Sequence, residues 1–319
     1  MKPTTTDSPH PIDFLGKRRL AVIFSAVVLI AGFVSVIIHG GLNYGIDFRG
    51  GTNVQIRFTQ TVDLDNLRGL FKEQGLGNIV LQTFGSEEEH EVLLGLPVDS
   101  ALGTGEDLTA QLRGVLDTQH PELEIRRIET VGPRVGDELK ANALLAIVVA
   151  LGLILLYVTF RFQWRQGVSA ILTLVHDVLV VVSVFSLLDK EFTLPVVAAL
   201  LTVVGYSLND TIVVFDRIRE NQVRFRKQAL EWVMNLSITE TLSRTLITSG
   251  TTLLVVIALL VLGGEIIFDF AFALLVGVLI GTYSSIYVAS PLVLRLNKGQ
   301  RPRSANAESK APAPEQQAS

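Results

Sequence analysis

The chain has no cysteine among its 319 residues, which excludes a disulfide framework and any thiolate metal site. Charge is scarce. Only 18% of the residues are Asp, Glu, Lys or Arg, and the net charge of −4 gives no basic surplus of the kind that holds nucleic acid. Two Met and two Trp form no pattern. The motifs of several enzymes are missing too: there is no H-E-x-x-H, no P-loop lysine and no G-x-G-D around Asp210. What the chain does have is apolar surface. Hydrophobic residues make up 49% of it, and a mean hydropathy of +0.44 is too high for an ordinary soluble domain.

That surface falls into six runs of spanning length, at about 20–38, 141–160, 168–188, 194–215, 245–263 and 266–294. The first follows Lys17, Arg18 and Arg19 but is longer than a signal-peptide core and lacks a small-residue cleavage site, so it reads as an uncleaved anchor. Basic residues occupy alternate connections: the segment before run one, Arg161 and Arg165, the group from Arg217 to Lys227, and Arg295 to Arg303. The positive-inside rule then puts both termini (1–19 and 297–319) and the loop 216–243 in the cytoplasm, and residues 40–140 outside it. The chain therefore reads as a multi-pass protein of the bacterial cytoplasmic (inner) membrane. The tail after 297, rich in Pro, Ala, Ser and Gln, reads as disordered.

The outer segment has its own periodicity. Val54, Ile56 and Phe58 alternate over 52–58, while Leu67, Leu70 and Phe71 share one face of a helix over 64–74. Strands at 78–84 and 91–96 flank a polar turn, and a helix at 107–118 precedes a strand at 122–131. This β-α-β-β-α-β order predicts a ferredoxin-like α+β domain between the first two membrane helices of a polytopic helical protein. Gly50-Gly51 and Gly132-Pro133 mark its two junctions with the membrane helices.

Polar groups inside the apolar runs are the functional candidates. Asp210 costs about 2.5–3.5 kcal/mol to insert, so a structural role alone is a poor account of it. Arg244, thirty-four residues on, opens the next run at a depth that could match. Thr202, Tyr206, Asn209 and Asp210 recur at helical spacing, as do Arg244, Thr248, Thr251 and Thr252. His176 and Asp177 lie in the third run, and Asp269 lies near the outer end of the sixth. Gly277 and Gly281 form a small-xxx-small pair for close helix packing. The hydroxyls have a bland reading as interhelical glue. Gly205-Tyr206-Ser207 has the G-x-S form of some membrane serine proteases with His176 as base, but that leaves Asn209 and Asp210 unexplained.

Several of these segments together resemble the SecF family, the smaller half of the SecD–SecF accessory complex of the bacterial Sec translocase. They are Gly45-Ile46-Asp47-Phe48-Arg49-Gly50-Gly51-Thr52, Val131-Gly132-Pro133, His176-Asp177, Gly205 through Thr211 with Val214 to Arg217, Arg244-Thr245, and Gly281 through Ile286. The resemblance runs in order over about residues 15–296. It implies a non-enzymatic subunit of a twelve-span unit related to the RND pumps, with no cofactor beyond the proton gradient. Its implied relay positions are Asp210, Arg244 and Asp269, with Asn209, His176 and Asp177 beside them. Implied partners are SecD, the SecYEG channel, SecA indirectly, YajC and YidC as further candidates, and unfolded preproteins. An RND-like exporter half for a small molecule or lipid, and an uncoupled assembly scaffold, are the alternatives.

Overall fold

A computed structural model describes residues 11–73, 79–84, 90–97, 106–116 and 122–297. The expected disordered tail beyond 297 and most of the expected turn at 85–90 lie outside the described residues. The helix α1 (Arg18–Ile38) is followed by a single turn, α2 (Ile46–Arg49), and then by β1 (Gly51–Arg57). Next come α3 (Leu64–Glu73), β2 (Val80–Phe84), β3 (Glu91–Leu96), α4 (Glu106–Leu116) and β4 (Glu124–Val131). The remaining helices are α5 (Pro133–Arg161), α6 (Trp164–Leu187), α7 (Leu194–Arg224), α8 (Leu230–Leu262), α9 (Glu265–Ser284) and α10 (Ser290–Asn297). Six spans are long and apolar enough to cross a membrane, with α9 and α10 counted as one.

The sheet is antiparallel throughout, in the order β2-β3-β1-β4. Val54 faces Leu94 on one side and Ile128 on the other. The alternating Val54 and Ile56 turn one face of β1 towards Leu67 and Phe71 of α3 and Leu108, Leu112 and Leu116 of α4, forming a closed apolar core. A bulge against β4 between Gln55 and Ile56 shifts the register there.

Three boundaries differ from those read in the sequence. The connection 216–243 is helical except at 225–229. Its charges favour helix because they pair across the turn and between helices: Arg217 reaches Glu220 at 2.9 Å and Glu240 at 3.4 Å, and Asn221 Nδ2 donates to Glu240 at 2.8 Å. Helices of 31 and 33 residues are about 46–50 Å long, well past a hydrocarbon core of about 30 Å. At the other end, residues 133–140 belong to α5 and not to the sheet unit, because Pro133 starts a helix without wasting an amide. The sixth span is interrupted by a π-helical stretch, Ser285–Ala289. Pro291 just beyond it has no N–H and crowds the carbonyl four residues back, so the ladder widens there.

Within the bundle α7 and α9 lie close together. A Cβ on Gly277 would sit 2.1 Å from Val203 Cγ2, and one on Gly281 3.0 Å from Ser207 Cβ. Small residues at these two places bring the helix carrying Asp210 against the helix carrying Ser284.

Candidate functional site

The glycine-rich segment after α1 forms a latch onto the membrane helices. Gly50 (φ 73°) and Gly51 (φ 133°) take backbone angles that favour glycine, and a Cβ on Gly51 would meet the Leu96 carbonyl oxygen at 2.5 Å. The turn aims Asp47 at the start of α7, where its Oδ2 accepts the Leu194 N–H at 2.8 Å. This carboxylate satisfies an otherwise orphan amide of α7 and complements its dipole. The Phe192 N–H donates to the Asn43 carbonyl at 2.6 Å, and the Gly45 N–H donates to the Phe192 carbonyl at 3.1 Å. Phe48 is buried among Phe192, Phe185 and Val196. Thus the chain entering β1 is bonded to the first turn of α7.

The same end of the bundle carries a charge cluster. Lys190 Nζ lies 2.8 Å from Asp269 Oδ1 and packs over Phe268 at 4.6 Å. Burial raises the Glu191 carboxyl above its usual value, Asp269 pushes it the same way, Arg49 draws it back, and Asp47 adds a further push upward.

Deeper in the bundle Asp177 is fully buried with both oxygens occupied. Ser207 and Ser284 donate to Oδ2 at 2.6 and 2.7 Å, and His176 Nδ1 lies 2.9 Å from Oδ1. His176 Nε2 is 2.9 Å from Ser25 Oγ, which lies 3.2 Å from the Tyr283 hydroxyl. One polar chain thus joins α1, α6, α7 and α9. It also removes the protease reading, since Ser207 bonds Asp177 and both nitrogens of His176 have other partners.

Asp210 is almost as buried, at 2% exposure, but far less well bonded. Ser249 of α8 donates to its Oδ2 at 3.4 Å and lies 2.7 Å from Thr282 of α9. The expected partner is near but not bonded: no ion pair within 4 Å joins Asp210 to Arg244 among the described residues, and the guanidinium acts on the carboxylate only through its charge. Helical geometry explains this. Ser249 follows Arg244 by five residues, about 7–8 Å along α8 and about 140° around it. When Ser249 bonds Asp210, Arg244 lies off that line and meets the carboxylate only across space. Arg244 lines a polar cleft of about 370 Å³ with Asn209, Asp216, Glu240 and Thr241.

Comparison with known proteins decides the family. The profile of the family described as "Protein export membrane protein SecD/SecF, C-terminal" matches residues 111–299, and that of the "SecD/SecF GG Motif" matches 35–62. The protein translocase subunit SecF of Vibrio alginolyticus is 50% identical over 286 residues, covering 89% of this chain and 90% of its own. That of Magnetococcus marinus is 50% identical over 294 residues, covering 91% and 93%. The chain belongs to the SecF family. A crystal structure of SecDF from Thermus thermophilus superposes with a TM-score of 0.81 at 42% identity, over 92% of this chain and 40% of that one. This SecF-family chain is accordingly an accessory subunit of the Sec protein translocase.

Of the residues singled out in this SecF sequence, the structure joins His176 to Asp177, and sets Asn209 with Arg244 in one cleft. Asp269 is with Lys190, apart from both groups. The face expected to carry Thr202, Tyr206, Asn209 and Asp210 is divided: Thr202 and Asn209 are exposed, while Asp210 is buried with Ser207. Thr248, Thr251 and Thr252 donate to carbonyls of their own helix. Sequence reasoning missed Ser249, the one hydrogen-bond donor to the Asp210 carboxylate among the described residues, and the Ser25–Tyr283 link. Serines at helical spacing give no sign of which neighbour they meet. It also passed over Asp47 as a cap. A carboxylate beside Gly-Gly is a visible signal, but its target lies 147 residues away.

Proposed function

We propose that this SecF-family subunit couples the proton gradient to the late stage of protein export, acting with SecD. The observation that carries the reading is Asp210, a carboxylate with one long hydrogen bond, held between three membrane-crossing helices. Gain or loss of a proton there changes what Ser249 and Thr282 meet, and so changes how α7 packs on α8 and α9. Each proton crossing the full potential supplies about 2.3 kcal/mol per 100 mV, enough to bias two bundle arrangements by tens-fold. The other end of α7 is held by Asp47, which supports transmission of a shift in α7 to the sheet unit.

The exposed face bearing Gly205, Asn209, Arg244 and Thr251 supports the need for SecD. An unpaired guanidinium is expensive against lipid, and a second bundle laid on this face would cover it. The solved Thermus relative carries SecD and SecF in one chain and is described as translocon-associated. The basic connections favour cytoplasmic termini and an outer sheet unit, whose strand order and two-helix face fit the ferredoxin-like form. Asn209, His176, Asp177 and Asp269 are supporting members of the relay in this reading.

The test uses cells depleted of their own SecF and rescued by this chain or by Asp210→Asn. Maturation of a labelled secretory precursor is followed with the gradient intact and collapsed. Gradient-dependent rescue by the wild type, and failure of Asp210→Asn at equal membrane level, is the expected result. Equal export by both would end the coupling reading.

A further inference from the structure

A second cavity, sharing no lining residue with the Arg244 cleft, is formed between α1 and the π-helical stretch with α10. It has a volume of about 670 Å³. One wall is a single face of α1, with Arg19, Val22, Ala26 and Leu29 at spacings of three, four and three. The other wall is Val288, Leu292 and Arg295. The π stretch helps to shape that wall, since Val288 lies within it.

The two ends of the trough differ chemically. At one end Arg19 and Arg295 are exposed, and neither side chain has a hydrogen bond or ion pair among the described residues. Arg18 at the same end is already held by Glu231. Beyond the arginines the α1 wall is apolar as far as Leu29 except at Ser25, which is bonded to His176; His176 and Tyr287 complete the polar lining. From Arg19 to Leu29 the wall rises about 15 Å, half of a hydrocarbon core of about 30 Å. A trough with a cationic mouth and an apolar body one leaflet deep fits an amphiphile with an anionic head. Basic pockets between membrane helices take such headgroups.

We infer that this groove binds one anionic phospholipid, its phosphate between Arg19 and Arg295 and an acyl chain along Val22, Ala26 and Leu29. The inference stands apart from proton coupling and from the Arg244 cleft. It predicts a lipid held as part of the structure, packing α1 against the last turns of the bundle.

The full-length chain, purified in detergent and delipidated, is titrated with phosphatidylglycerol, phosphatidylcholine or inorganic phosphate and followed by native mass spectrometry. Phosphatidylglycerol should be retained about tenfold over phosphatidylcholine, and Arg19→Gln and Arg295→Gln should each lower that preference roughly fivefold. Ala26→Trp, which fills the trough, should reduce adducts of both lipids. Arg224→Gln/Arg226→Gln, exposed charges of the α7–α8 connection, should leave the preference intact. Equal retention of the two lipids, an unchanged preference in either the Arg19→Gln or the Arg295→Gln variant, or the same loss in the Arg224→Gln/Arg226→Gln variant would each overturn the site. So would binding of inorganic phosphate as tight as that of phosphatidylglycerol, which would make it an anion site without an acyl groove.

Discussion

At Asp177 both carboxylate oxygens are filled by Ser207, Ser284 and His176, whereas Asp210 has only Ser249 at 3.4 Å. Removing the first carboxylate strands several buried partners. Removing the second strands almost nothing. Asp177→Ala should therefore lower the stability of the bundle by about 1–3 kcal/mol, and Asp210→Ala by clearly less, as thermal melting in detergent would show. A larger loss at Asp210 would contradict the reading that the hydrogen bonds of Asp177 hold the helices together more than the single bond of Asp210 does. Glu191 gives a pH-dependent counterpart outside the membrane. Its carboxyl is raised above 4.5 in the folded chain by burial and by Asp269, so the folded state takes up the proton more readily than the unfolded one. The resulting stabilisation is complete below about pH 4.5 and is lost as pH rises through the raised value. Glu191→Gln should match the wild type at the acid end and melt higher than it near neutrality; parallel melting curves at all pH values would refute this.

Among the elements, α7 is constrained at its beginning and along its length. Asp47 caps its first turn, and deleting an N-cap side chain costs about 0.5–2 kcal/mol. Asp47→Ala should fall in that range and Asp47→Asn should recover most of it, because an amide oxygen still accepts from Leu194. If Asp47→Ala also slows export while melting stays near that of Asp47→Asn, the latch is transmitting motion and not only holding a helix. Further along, Gly277 faces the stiff branched side chain of Val203. Gly277→Ala should cost about 1–3 kcal/mol by overpacking, and a second change, Val203→Ala, should restore most of it. Absence of rescue would mean that the α7–α9 spacing is set elsewhere. The elements themselves were largely legible. Alternation at Val54, Ile56 and Phe58 located β1, and the Leu67–Phe71 face located α3, each to within a residue or so. The helical ends of α7 and α8 were not, because charges read as a loop are also good helix formers when they pair, as Arg217 does with Glu220.

For the whole molecule, the open side of α7 and α8 is the feature that one chain leaves unexplained. Gly205 lies on it with no atom within 4 Å of an added Cβ, and the protein has no cysteine of its own. Gly205→Cys thus provides a single reporter thiol. A membrane-permeant maleimide should label it when this chain is expressed alone and should be blocked when SecD is co-expressed. Equal labelling in both states would place the partner elsewhere.

Sequence alone determined the number of membrane runs, the strand and helix order of the α+β unit, and the family. Each of these depends on hydrophobic period, run length or a contiguous motif, and these are local properties of the chain. Tertiary structure decided which acid meets which donor. Ser249 rather than Arg244 hydrogen-bonds Asp210, since five residues of helix turn the two side chains apart by more than a third of a circle. Likewise Asp47 reaches Leu194 because the backbone of Asn43 and Gly45 just before it is bonded to Phe192 beside the start of α7. Such pairings depend on helix rotation and on the angle between distant segments, and no local pattern records either.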